Sequence, residues 1–172
     1  MKKTLFICLM LLTAALIRAE TLTGTAIRVQ DGDSFILRNG DVNYKIRLYG
    51  IDAPEKKQPW GGKALMTMIE LIGQKEVIVE VMDRDKYRRY VGKVYQGETY
   101  INLKMLELGC AWWYKRYAPK DTDLEAAFNK ARTDKVGMWE YDDNIEPEKW
   151  RISHKEKAVP AATPAQEENT PK

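Results

Sequence analysis

The chain has 172 residues, with 28 Lys and Arg against 25 Asp and Glu, a formal charge of +3. That is long enough for one domain with a sizeable core and extra segments at its ends. Residues 1–19 hold Lys2, Lys3 and Arg18, so the remainder is formally neutral, which excludes an evenly basic surface for polyanions.

Lys2 and Lys3 give a positive start, Leu5 to Ile17 is an apolar run of thirteen residues broken only by Thr13, and Ala19 offers a small residue before Glu20. This is the layout of a secretory signal peptide. The run is short of the roughly 20 residues needed to span a bilayer. We therefore expect 1–19 to be a signal peptide and the mature chain to be exported, either secreted or periplasmic, without stable membrane association. Cys8 leaves with that segment, so the mature chain keeps Cys110 alone and has no internal disulfide.

Strands dominate the first half. "TGTAIRV" (23–29) is β-branched and runs into the turn-rich "QDGDS"; "SFILR" (34–38) and "VNYKIRLYGI" (42–51) flank Asn39-Gly40, a strong hairpin signal. "EVIVEVM" (76–82) and "YVGKVY" (90–95) are two further strands. Helices are interleaved. "KALMTMIELIG" spaces Leu65, Met68, Ile69 and Ile72 along one face and stops at Gly73. "NLKMLELG" has Asn102 as a cap and Gly109 as a stop, and "TDLEAAFNKAR" is capped by Thr122 or Asp121. Five strands and about three helices imply a small α+β domain on a Greek-key barrel, residues 20–152. From Ala158 the chain is rich in Pro and Ala with no apolar period. We expect 153–172 to be a disordered tail.

Charge is segregated along the domain. Residues 83–120 hold nine basic and four acidic side chains, and residues 121–150 the reverse, four and nine. A local positive patch can attract a polyanion on a neutral molecule. No His pair or Cys cluster offers zinc ligands, and no P-loop, dinucleotide fingerprint or Gly-x-Ser-x-Gly is present. What remains is carboxylates and arginines in three clusters: "DGDS" (31–34), "RLYGIDAPE" (47–55) and "DRDKYRRY" (83–90). Carboxylates at turns are hard-oxygen donors suited to Ca2+ or Mg2+. Arginines bind a phosphodiester by paired hydrogen bonds and oppose the charge that builds as it is attacked. Each cluster also has a plain structural reading: a common turn, a cross-strand partner, a charged surface loop. Strict strand parity even places Arg47 and Asp52 on opposite faces, unless Gly50 interrupts the strand.

Taken together and in order, the clusters resemble the staphylococcal nuclease-like, or thermonuclease, family. "DGDS" is similar to its DGDT, "RLYGIDAPE" to its R-x-x-x-x-D-x-P-E, "DKYRR" to its D-x-Y-G-R, and "INLKMLELGCAWWY" to a further segment. The resemblance covers about 24–139 and implies an OB-fold barrel and a Ca2+-dependent nuclease acting on DNA and RNA as a monomer. By matching position, Asp33, Asp52 and the Ala53 carbonyl would hold one Ca2+ ion. Glu55 would hold and activate the attacking water, and Arg47 and Arg89 would clamp the phosphate. Lys86 and Tyr87 would contact a terminal phosphate, and Tyr114 and Tyr117 would flank the base or sugar. Attack by water on the 5′ side of the bond would leave 3′-phosphates. The alternative is the same barrel binding nucleic acid without cutting it, although relatives of that kind lack the site residues this chain keeps. Three departures stand out: Ser34 for Thr, Ala53 for Thr, and Arg88 for the Gly before the second arginine. If that last turn needs a positive φ, Arg88 costs roughly 1 kcal/mol and bears on how Arg89 is aimed. Trp60, Trp112 and Trp113 could stack on bases, but packing is their commoner role.

Overall fold

The computed structural model describes residues 20–157. The expected signal peptide, and the tail from Ala158 onward, lie outside these described residues. Five long strands form the body: β1 (Thr21–Val29), β2 (Ser34–Asn39), β3 (Val42–Leu48), β5 (Glu76–Arg84) and β6 (Tyr90–Gln96). Two short strands, β4 (Ile51–Asp52) and β8 (Trp112–Trp113), pair with each other, and β7 (Thr99–Tyr100) extends the edge at β6. The helices are α1 (Gly61–Ile72), α2 (Ile101–Glu107), α3 (Thr122–Thr133) and α4 (Pro147–Lys157), with a 3-10 turn at Gly137–Glu140.

Strand pairing runs β3-β2-β1-β5-β6, all antiparallel, and a parallel seam between β3 and β6 closes the barrel. This is the five-stranded Greek-key OB-fold that was expected. Side chains alternate across the wall as a two-residue period requires: Phe35, Leu37, Val77 and Val79 are fully buried, while Ile78 and Glu80 face out. Ala64, Met68 and Ile72 of α1, with Ile101, Met105 and Leu106 of α2, join the same core.

The helices differ from expectation in two places, at Asn102 and in a fourth helix. Asn102 does not cap α2. It is fully buried, accepts from the Val94 N–H at 3.0 Å, and donates to the carbonyls of Tyr49 (2.8 Å) and Gly92 (3.1 Å), pinning the β3–β6 seam. Of the two caps expected for α3, Asp121 is the one used, accepting from Leu124 N–H at 3.2 Å. A fourth helix is present, and it continues to Lys157, past the expected domain boundary at 152. Pro147 opens it at the position where a missing N–H is harmless, but "PEKWRISHKEK" has no sustained apolar face, so the pattern gave no helix signal.

Candidate active site

Barrel closure brings the clusters together. The seam pairs Ile46 with Tyr90, Arg47 with Val91 and Leu48 with Gly92. Arg89 immediately precedes Tyr90, so the end of the β5–β6 hairpin arrives beside the Arg47 strand. The wall also carries Ser34 opposite Arg47 across β2–β3, which brings the "DGDS" turn to the same end. One open cleft is lined by Asp31, Asp33, Arg47, Asp52, Ala53, Glu55, Lys86, Tyr87, Arg89, Tyr114 and Tyr117. The ten residues given a catalytic, phosphate-contacting, base-flanking or metal-holding role from the sequence all lie on it.

The parity problem between Arg47 and Asp52 is solved at Tyr49-Gly50. Strand β3 ends at Leu48, Gly50 takes φ 72°, and the chain resumes as β4 paired to β8. That break lets both side chains point the same way. A side chain at Gly50 would strike Leu124 and Ala118, in addition to the strain of the left-handed backbone.

Arg47 lies at the centre, with its side chain only 11% exposed. Its Nη1 is 2.5 Å from Asp33 Oδ2, and its Nη2 donates to Asp52 Oδ1 at 2.8 Å. Asp33 Oδ2 also accepts the Ala53 N–H at 2.6 Å, which ties the first cluster to the second. Asp31 shapes the turn below, accepting from the Asp33 N–H (3.1 Å) and the Ser34 hydroxyl (2.7 Å). The hydroxyl that Ser34 retains is therefore in use. Burial pushes the Asp33 carboxyl up against the pull of Arg47, with smaller pushes from Asp31 and Asp52, to about 8. Burial works against the charge on Arg47, but Asp33 and Asp52 outweigh it and raise its pKa.

The second arginine is held by its own loop. Asp85 Oδ1 accepts the N–H groups of Tyr87 and Arg89, both at 2.9 Å, and Oδ2 accepts Arg89 Nε at 2.7 Å. Backbone bonds from Arg88 N–H to the Asp85 carbonyl (2.9 Å) and from Asp85 N–H to the Arg89 carbonyl (3.0 Å) close the turn. Arg88 does take the left-handed conformation, at φ 64°. Tyr87 is exposed, with Lys86 Nζ 5.2 Å and the Arg89 guanidinium carbon 5.6 Å from its ring centre.

Tyr114 and Tyr117 form an edge-to-face pair on the cleft lining, centroids 4.7 Å apart. The tryptophans are used elsewhere. Trp112 packs on Trp139 at 4.6 Å, Trp113 donates to the Ala118 carbonyl at 3.1 Å, and Trp60 lies against Tyr141. Cys110 is buried, and burial pushes its thiol pKa up, as suits a packed and inert residue.

Against known proteins, the family model described as staphylococcal nuclease homologue matches residues 45–141. The chain belongs to this family. Among its relatives, a Haemophilus influenzae protein named "Uncharacterized endonuclease" is 37% identical over 137 residues, covering 79% of this chain and 76% of that protein. An Escherichia coli O157:H7 protein of the same name is 38% identical over 74% of this chain and 84% of its own length. A Shigella flexneri protein named "Micrococcal nuclease" is 33% identical over 77% of this chain and 82% of its own.

Within this staphylococcal nuclease homologue, two cleft-lining positions escaped the sequence. Asp85 was visible in its motif but carried no assigned role; its position four residues before an arginine was the available signal. Arg151 had no signal at all. It projects from α4, donates from Nη1 to Asp52 Oδ1 (3.1 Å) and Glu55 Oε1 (2.9 Å), and from Nη2 to Asp52 Oδ2 (2.8 Å). Burial opposes its charge, and the hydrogen bonds to Asp52 and Glu55 outweigh it and raise its pKa.

Proposed function

We propose that the chain is an exported nuclease that hydrolyses phosphodiester bonds of DNA and RNA with one Ca2+ ion. One observation carries the reading. Three separate clusters place the carboxylates Asp33, Asp52 and Glu55 on one cleft with Arg47 and Arg89, in a chain whose relatives are named endonuclease and micrococcal nuclease.

The donors suit a hard divalent cation. Asp33 and Asp52 offer carboxylate oxygens and Ala53 a carbonyl, which is the ligand type of Ca2+. Asp33 is disfavoured as a carboxylate first by its burial and then by the neighbouring Asp31 and Asp52, and a cation held there would offset both. A guanidinium, that of Arg151, already stands against Asp52 as a substitute cation. When bound, Ca2+ would polarise a phosphate oxygen and offset its charge.

The chain's own residues supply the rest. Arg47 and Arg89 present planar forks to the phosphate, and their donors meet the charge that develops in the transition state. Glu55 orients the attacking water and accepts its proton as general base. Lys86 and Tyr87 meet a terminal phosphate at one end of the cleft, and Tyr114 and Tyr117 flank the base or sugar at the other. Cleavage on the 5′ side of the phosphorus leaves 3′-phosphate products. Export rests on the signal-peptide pattern of 1–19, and the enzyme acts as a monomer.

Arg47→Ala, Glu55→Ala and Arg89→Ala should each lower kcat/KM by about 100-fold or more, since each removes a contact made in the transition state. End-group analysis of the products should find 3′-phosphates. A variant with near-normal activity would remove that residue from the mechanism, and 5′-phosphate ends would contradict the assigned bond.

A further inference from the structure

Arg151 reaches the reaction centre from outside the residues that match the family model, 45–141. Its fork spans both oxygens of Asp52 and reaches Glu55 Oε1. Asp52 Oδ1 is shared with Arg47, so each oxygen of this carboxylate is committed to a guanidinium. Among the described residues no group of three acidic, His or Cys side chains is arranged to hold a metal ion. Asp52 is paired instead with Arg47 and Arg151.

The helix that delivers Arg151 is lightly attached. Residues 151–155 of α4 are all exposed, Pro147 is buried, and Glu148 and Trp150 are half-buried. A second ion pair links the helix to the cleft, between Glu148 and Arg116 at 3.5 Å, with both side chains well exposed. The chain just before the helix is fixed instead: Gln58 Nε2 donates to the Ile145 carbonyl at 2.5 Å, with Gln58 itself buried. A fixed point at Ile145, followed by a helix held mainly through charge, forms a strap whose contact is the carboxylate pair.

We propose that α4 is a cation-released latch: Arg151 closes the site by occupying Asp52 and Glu55, and a divalent cation displaces it. This rests on the reading of Asp52 as a cation ligand. Occupancy is mutually exclusive, because a cation and a bidentate guanidinium require the same oxygens of Asp52. The same displacement frees Glu55, so one event uncovers both the cation site and the group that handles the water. The enzyme is therefore closed in the absence of the cation. Part of the cation's binding energy is used in opening the latch, which weakens its apparent affinity.

The test is Ca2+ binding by titration calorimetry on the full mature chain, without substrate, for wild type, Arg151→Ala and Lys45→Ala. Lys45 is exposed on the same cleft, so the last variant removes the same charge without touching α4, Asp52 or Glu55. Arg151→Ala should bind Ca2+ about 10-fold more tightly than wild type, the scale of a charge-assisted bidentate contact, whereas Lys45→Ala should gain less than about 3-fold, the scale of a screened surface charge. In wild type, amide exchange across 147–155 should quicken when Ca2+ is added. Equal gains in the two variants, no gain in Arg151→Ala, or unchanged exchange in α4 would overturn the latch and leave the cation site standing. Failure of wild type and Arg151→Ala alike to bind Ca2+ would overturn both.

Discussion

Substituting Asp85 by Asn separates the aim of Arg89 from the shape of its loop. Asp85 Oδ1 accepts two backbone N–H groups, while Oδ2 accepts only Arg89 Nε. An amide can keep the first pair through its carbonyl oxygen, but its NH2 group meets Nε donor to donor. The loop is retained and the arginine is released. A hydrogen bond between charged partners is worth about 1.5–3 kcal/mol, so kcat/KM should fall about 10- to 100-fold. The loss of stability should be smaller, below about 1 kcal/mol, because the pair is partly exposed. Steady-state cleavage of a short oligonucleotide reads the first quantity, and urea unfolding the second. A cycle with Arg89→Ala distinguishes positioning from general damage: Asp85→Asn should cost almost nothing once Arg89 is gone. An equal loss in both backgrounds, or no loss in wild type, would refute the assignment. The same carboxyl carries a pH signature. Burial pushes its pKa up, but the Arg89 N–H and guanidinium and the Tyr87 N–H outweigh it and hold it below the usual 3.8. A depressed folded pKa gives stability that is present above the unfolded value and lost as pH falls through the folded one. The Asn variant should therefore lose less stability than wild type on acidification below about pH 4.

Two further substitutions test the scaffold. Asn102→Leu removes the partner of the Val94 N–H and of the Tyr49 and Gly92 carbonyls; unfolding in urea should show a loss of about 2–4 kcal/mol, and a loss under about 1 kcal/mol would mean that the seam is held by other contacts. Arg88→Gly relieves a left-handed backbone worth about 1–2 kcal/mol and gives back about 0.5–1 kcal/mol in chain entropy. Its melting temperature should be unchanged or a few degrees higher, and a clear drop would show a stabilising contact from the Arg88 side chain.

Much of this architecture was legible because it is written in short-range signals. The Asn39-Gly40 hairpin, the alternation in 76–80 and the apolar spacing of α1 are local patterns, and the five long strands and first three helices follow from them. The cleft was legible for another reason: its residues sit in compact motifs whose order matches a known family. Long-range contacts were not readable. Asn102 looked like a cap because a polar residue before an apolar turn usually is one, but the seam offered it three buried backbone partners. Helix α4 lacks an apolar face, so its only firm signal was Pro147. The contact of Arg151 with Asp52 spans 99 positions, and no spacing rule reaches that far. Arg88 is the opposite case, a local departure that raised the question of a positive φ, and the loop bears it through the five hydrogen bonds of Asp85.

The most direct test of the central claim is digestion of single-stranded DNA by the mature wild-type protein, with Ca2+ and again with excess chelator. The cleft predicts rapid cleavage to 3′-phosphate ends in Ca2+ and its arrest in chelator. Cleavage that persists in chelator, or no cleavage with any divalent ion, would contradict it.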